Sequence, residues 1–413
     1  MKRKIGVEEL VLGMYVSELD RPWTETPFMF QGFVVDSEEQ INELRKFCRF
    51  VFVDAERSQL TDNRLAAAPR PQSAAAPAAE HKPAVLQGIR KVEYAPSVSV
   101  ETELPRAKEV YAYTTEVLED VSKAIVNRGT VDAGAVKGAV NKMTESVIRN
   151  PDAAVLFSAL KERGGYLLTR SMNASIYMIM FARFLGMEQA DIELAGLVGM
   201  LQDIAMVQVP RSAIEKKGPL TPEEIELVRS HVTLGAEILK ATHGLPPEVA
   251  RLAALHHERY DGSGYPKGLR GEEIGTIGGC AGIVDTYGAM TTERSYAAPM
   301  SPSNALGMLH KWRSKTFHPD LVEEFIRCIG AFPVGSVVEL NSGDVGIVIS
   351  QNQEKRLQPR VVVVRDSKGA PLRPQVMLDL ARGPKMNATE IYRIRRTLEY
   401  GRSGGVGIKD ILS

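Results

Sequence analysis

The chain has 413 residues, more than one hydrophobic core usually serves, so two or three domains are expected. Its 44% hydrophobic and 25% charged residues are ordinary globular values and exclude overall disorder. Basic and acidic residues balance at 51 each, so no net field draws the chain to DNA, RNA or an anionic membrane; phosphate recognition has to come from a local site.

Met1-Lys-Arg-Lys runs into Gly6-Val-Glu-Glu and not into an apolar core, so the start does not read as a signal peptide. Val11-Leu-Gly-Met-Tyr-Val16 and Phe33-Val-Val35 predict strands, Glu38 to Phe47 has helical spacing, and Phe50-Val-Phe-Val53 predicts a further strand. Together they predict a small α+β module over 1–58. Residues 59–104 differ in composition: Ala66 to Ala79 contains only Ala, Pro, Arg, Gln and Ser, with prolines at 69, 71 and 77. Such a stretch has too little apolar surface to offset its chain entropy and reads as a linker.

From 105 to 330 the apolar residues fall at helical spacing, as in Val110, Tyr113, Val117 and Val121 and again over Ala135 to Ile148. Breaks come at Pro210, Pro219, Pro222, Pro246-Pro247, Gly262 and Gly264. An all-α helical bundle is the expected fold here. Residues 331–413 return to alternation: Val337-Val-Glu-Leu340, a turn at Asn341-Ser-Gly-Asp, Val345-Gly-Ile-Val-Ile349, Arg360-Val-Val-Val-Val-Arg365 and a turn at Ser367-Lys-Gly369. These predict a small all-β unit, and glycines at 401, 404, 405 and 407 a loose tail. The fold class is therefore multidomain and mainly α. No run approaches the length of a membrane span, the nearest, Ile176 to Leu185, being interrupted by Arg183. Cys48, Cys280 and Cys328 are dispersed with no CxxC pair, a reduced and cytoplasmic pattern.

The chemistry concentrates in few residues. Of seven histidines, His256 and His257 are adjacent; on a helix end such neighbours point about 100° apart, which suits ligands to one metal or two. His231 lies in a predicted helix, and Asp203 and Asp285 interrupt apolar helical runs. A carboxylate in such a run is costly unless paired or bound to a cation. One buried Asp can equally brace a helix, and one His on an apolar face is ordinarily a satisfied core residue. Two carboxylates, a His-His pair and a third helical His together point to mixed nitrogen and oxygen ligation of iron, manganese or zinc.

His256-His-Glu-Arg-Tyr-Asp-Gly-Ser-Gly-Tyr-Pro-Lys-Gly-Leu-Arg-Gly-Glu-Glu-Ile274 resembles the HH(E)xxDGxGYPxGLxGxxI signature of the HD-GYP family. Asp285-Thr-Tyr-Gly-Ala-Met-Thr-Thr-Glu-Arg-Ser-Tyr296 is similar to that family's D-x-x-D-A-L-T-x-x-R-x-Y segment, and His231-Val-Thr-Leu-Gly235 to its H-x-x-x-G element. Residues 1–57 resemble the small module often found ahead of this domain, and Pro333 to Leu340 its β tail. The resemblance implies a helical bundle with two or three metals that hydrolyses cyclic di-GMP. It also implies a role in protein docking, diguanylate cyclase domains included, for Gly264, Tyr265 and Pro266. Glycines and a proline also suffice for a purely structural loop.

Several positions depart from the pattern. Arg170 stands where the family has its first metal-binding His, Gln202 replaces the His of the His-Asp pair, Met206 replaces the Lys that follows, Gly288 replaces the second Asp of the D-x-x-D segment, and Ala297 stands for a Lys. Carried over, the metal ligands are Asp203, His231, His256, His257 and Asp285, with Asp203 also the catalytic carboxylate. Arg170, Arg294 and Lys267 are the candidate substrate contacts, while Lys267 and Arg270 can equally be solvated. A guanidinium has no lone pair for a metal, and an amide oxygen is a weak donor. The expectation is at most one divalent metal, or none, and weak or absent hydrolysis, the chain acting through nucleotide binding or protein contacts. A working phosphodiesterase with an unusual ligand set and a scaffold that binds no nucleotide are the alternatives. Arg170 itself has two readings, a salt bridge to Asp285 or Asp203 and a fixed charge that takes over a phosphate contact.

Overall fold

The computed structural model describes residues 2–21, 33–35, 38–54, 58, 91–160, 165–214, 216, 218–292, 299–352 and 354–398. They divide into two compact units, Met1–His81 with Asn352–Gln358, and Lys82–Gln351 with Pro359–Ser413.

In the first unit, β1 (Lys2–Gly6), β2 (Tyr15–Leu19), β3 (Phe33–Val34), α1 (Glu38–Phe47) and β4 (Phe50–Asp54) form an antiparallel sheet of order β1-β4-β2-β3 with one helix. Val16, Leu19, Val51 and Val53 bury one sheet face against Ile41 and Leu44 of α1. β2 starts later than the run Val11–Val16 predicts, because the chain turns through Gly13 at φ 91°. The opening strand β1 was not expected: Lys2, Arg3 and Lys4 mask a pattern in which Ile5 is the inward residue.

The second unit begins inside the expected linker, where Ser99 caps α2 (Val100–Arg128) by accepting from the Thr102 amide (3.3 Å). Glycine in the left-handed region ends that helix at Gly129 (φ 69°), and Asp132 caps α3 (Ala133–Arg149). There follow α4 (Pro151–Leu160), α5 (Tyr166–Phe184), α6 (Gln189–Leu201), α7 (Arg211–Ile214), α8 (Pro222–Ala241), α9 (Pro247–Ala253), α10 (Gly275–Thr291), α11 (Pro302–Trp312) and α12 (Pro319–Ile329). The prolines read as breaks open helices at Pro222 and Pro247, where the missing N–H costs nothing. Phe325 of α12 meets Phe181 of α5 and Tyr287 of α10 edge-on, at centroid distances of 5.1 and 5.3 Å, which locks the three helices together.

The C-terminal sheet belongs to this unit. Its strands β5 (Val337–Leu340), β6 (Val345–Ser350), β7 (Arg360–Arg365), β8 (Pro371–Asp379) and β9 (Ile394–Thr397) take the order β8-β7-β6-β5-β9, all antiparallel. Val338, Leu340, Val348, Val361 and Val363 are its core. The glycine-rich end expected to be loose lies outside the described residues. No helix among the described residues is long and apolar enough to cross a membrane.

Candidate metal centre

Two glycines bring the site together. A Cβ on Gly199 of α6 would lie 2.6 Å from the Ala174 carbonyl oxygen of α5, and one on Gly196 2.7 Å from Ile179 Cγ1. The helices approach closely because both side chains are hydrogen, and Ser175 Oγ donates to the Gly196 carbonyl across the seam (2.8 Å). That contact sets Gln202 and Asp203, at the C-terminal end of α6, opposite Arg170 in the first turns of α5.

Asp203, His231 of α8 and the pair His256-His257 following α9 place one ligand atom each within 4.8 Å of one another. His231 Nδ1 meets the Val228 carbonyl at 2.5 Å and His256 Nδ1 the Ala253 carbonyl at 2.6 Å. A carbonyl only accepts, so both Nδ1 atoms carry a hydrogen, and in the neutral ring each Nε2 turns a lone pair inward. Those two Nε2 atoms are 3.2 Å apart and lie 3.3 and 3.6 Å from Asp203 Oδ1. Three electron-rich atoms converge, an arrangement that a shared proton or a metal cation relieves. Three imidazoles and one carboxylate fit a divalent transition metal.

The electrostatics agree. Burial raises the Asp203 carboxyl, but Arg170 and hydrogen bonds from His231 and His256 outweigh it and hold the group well below the usual carboxylate range. Burial lowers His231, and the hydrogen bond and charge of Asp203 more than reverse this, so its value is raised. Burial and the neighbouring His256 push His257 far down, leaving it a neutral imidazole with a lone pair to offer.

Asp285 does not join this group. Arg170 lies between the two carboxylates, its Nε 2.6 Å from Asp203 Oδ2 and its Nη2 2.5 Å from Asp285 Oδ1. The guanidinium fork thus spans the gap between Asp203 and Asp285, and both carboxylates are almost fully buried around it. Gln202 Nε2 adds a longer contact to Asp285 Oδ1 (3.4 Å), while its buried Oε1 has no partner. On this side the donors are one carboxylate already paired with Arg170 and one neutral amide oxygen, a poorer set for a metal than three imidazoles and a carboxylate.

The remaining expected site residues are scattered. The loop holding Gly264, Tyr265 and Pro266 folds over the histidines, with the Tyr265 ring stacked on His257 (4.7 Å, 22°) and Pro266 exposed. Lys267 is exposed, and its backbone N–H is the group engaged, donating to Glu258. Arg294 lies outside the described residues. Sequence reasoning missed Glu258, which is buried and accepts from the amides of Lys267 (2.7 Å) and Leu269 (2.9 Å), tying the loop to the histidine turn. Its one signal was a carboxylate directly after the His-His pair and before a glycine-rich turn.

Comparison with known proteins matches residues 155–321 to a family described as an HD domain and residues 2–136 to a domain of unknown function, DUF3391, a span that takes in α2. A cyclic di-GMP phosphodiesterase of Pseudomonas aeruginosa is 30% identical over 385 residues, 92% of this chain and 90% of that one. A cyclic di-GMP phosphodiesterase of Thermotoga maritima is 33% identical over 147 residues, 35% of this chain and 40% of the relative. A 3′3′-cGAMP-specific phosphodiesterase of Vibrio cholerae is 30% identical over 169 residues, 41% of this chain and 32% of the relative.

Proposed function

The chain belongs to the HD-domain family of the HD-GYP type, with a DUF3391 domain ahead of it, and from that membership we propose that it is a cyclic di-GMP signalling protein that binds the dinucleotide at a one-metal site and hydrolyses it weakly or not at all. The observation that carries this reading is the position of Arg170, whose fork joins the two carboxylates a paired-ion centre would share.

Asp203, His231, His256 and His257 would hold the ion. When bound, it supplies Lewis acidity and positive charge towards a phosphate oxygen. The protein's own contribution is charge balance. Asp203 and Asp285 against the Arg170 guanidinium between them sum to one negative charge, which opposes a dianionic nucleotide, and a divalent ion would reverse that sign. Arg170 is already engaged by both carboxylates, so it serves as the built-in counter-ion and not as a free phosphate clamp. A two-ion site would polarise the attacking water from both sides; a single ion held by Asp203 and the histidines, with the Arg170 guanidinium opposite, would activate it from one side alone. The exposed edge of the loop at Pro266 and Lys267 would be the contact for a signalling partner such as a diguanylate cyclase domain.

Purified protein, incubated with cyclic di-GMP and excess manganese, tests this directly. Metal-dependent binding with little linear product is expected; turnover at the pace of a working phosphodiesterase overturns the reading. One observation favours that rival: the partnerless Gln202 Oε1 beside Asp285 is a neutral oxygen donor that a second ion could use on displacing Arg170. Metal content decides between them, one equivalent per chain against two.

A further inference from the structure

Two of the three imidazoles are oriented by the means metal sites ordinarily use, a hydrogen bond from the ring nitrogen that does not face the ion. His231 and His256 each donate from Nδ1 to the carbonyl three residues earlier. His257 has no side-chain hydrogen bond among the described residues and is held by rings instead. His256 lies against it at 4.1 Å and 44°, His231 meets it edge-on at 5.2 Å and 88°, and Tyr265 stacks on it at 4.7 Å and 22°.

Tyr265 is itself fixed from several directions. Its amide donates to the His257 carbonyl (3.1 Å), and the Arg229 guanidinium lies 5.0 Å from its ring, presented by the helix that carries His231. Glu258 grips the loop just beyond it through the amides of Lys267 and Leu269. Gly264 permits the approach, since a Cβ there would lie 2.3 Å from the Arg259 nitrogen.

We propose that Tyr265 is a positioning residue whose ring, stacked flat on His257, orients that imidazole towards a divalent ion in place of the missing hydrogen bond. This rests on the reading that the histidine cluster takes such an ion. The ring face does the work and the hydroxyl does not, so a phenylalanine should replace the tyrosine and an aliphatic side chain should not.

The test uses the full chain and manganese(II), with the free ion followed by electron paramagnetic resonance. Tyr265→Phe should bind within about twofold of the parent, and Tyr265→Ala about tenfold more weakly, the range seen when an outer support of a ligand is removed. In the cobalt(II)-loaded protein, Tyr265→Ala should change the visible absorption in the direction that His257→Ala does, whereas Tyr265→Phe should leave it unchanged. A purely structural role would instead lower the melting temperature of the metal-free protein without that spectral change. If Tyr265→Ala fails to fold, Tyr265→Leu, which keeps bulk without a flat ring, is judged by the same criteria. Parent-like affinity in the alanine or leucine variant overturns the proposal, as does a phenylalanine variant as weak as either. Those outcomes leave the one-metal reading standing; a parent chain that binds no manganese overturns both.

Discussion

Replacing Arg170 by alanine should expose how much the bundle depends on its internal cation. The substitution leaves Asp203 and Asp285, whose side chains are 4% and 5% exposed, facing one another with no guanidinium between them. Removing one partner of a buried ion pair costs about 3–5 kcal/mol, because the other charge is left without compensation. Arg170 is 18% exposed and one carboxylate can take up a proton, so the lower end, about 3 kcal/mol, applies to the metal-free protein near neutral pH. At about 2 °C per kcal/mol for a unit of this size, the melting temperature should fall by about 6 °C in the presence of a chelator.

The pH dependence gives this prediction its sign. In the parent, Asp203 is depressed, so its contribution is present above the unfolded carboxylate value and is lost as the pH falls through the folded one. In the variant Asp203 loses the guanidinium that holds it down, burial then favours its protonated form, and acidification relieves the cost. The gap between the two proteins should therefore narrow towards about pH 5. Calorimetry at both pH values checks it. A gap under about 1 °C, or one equally wide at acid and neutral pH, would refute the role of Arg170 as counter-ion.

Restoring both imidazoles with Arg170→His and Gln202→His should raise the bound metal from about one to about two equivalents and bring cyclic di-GMP hydrolysis with it; metal analysis and product chromatography report the two effects separately. Because His231 is raised, a metal ion must displace its proton, so the apparent affinity for manganese should tighten as the pH climbs through that raised value and then level off. The metal-free protein should respond the other way, since the His231 contribution is complete below about 6.5 and fades as the pH passes the folded value. A pH-independent dissociation constant from about pH 6 to 8 contradicts this. Gly199→Ala places a Cβ 2.6 Å from the Ala174 carbonyl, and the forced separation of α5 and α6 should cost about 1–3 kcal/mol by denaturant titration; an unchanged midpoint would mean that the seam does not set the site.

Local pattern alone was enough for most elements and for four residues that the structure brings together, Asp203, His231, His256 and His257. Proline and glycine placement marked where α8 and α9 begin, alternation located β5, β6 and β7, and residue type with spacing singled out Asp203 and the three histidines. These are short-range signals, carried by backbone preference and by which face of an element is apolar. β1, β8 and β9 escaped because charged residues mask the first and the last, while β8 is largely exposed apart from Leu378, so none shows a clear period. A salt bridge of Arg170 to Asp203 or Asp285 was one of two readings open from the sequence, and the structure has it to both, though they lie 33 and 115 positions away. Whether its charge is turned to solvent or spent on two carboxylates is decided by the packing of α5 against α6 and α10, and a side chain's electrostatic partners follow from distance in space, not along the sequence.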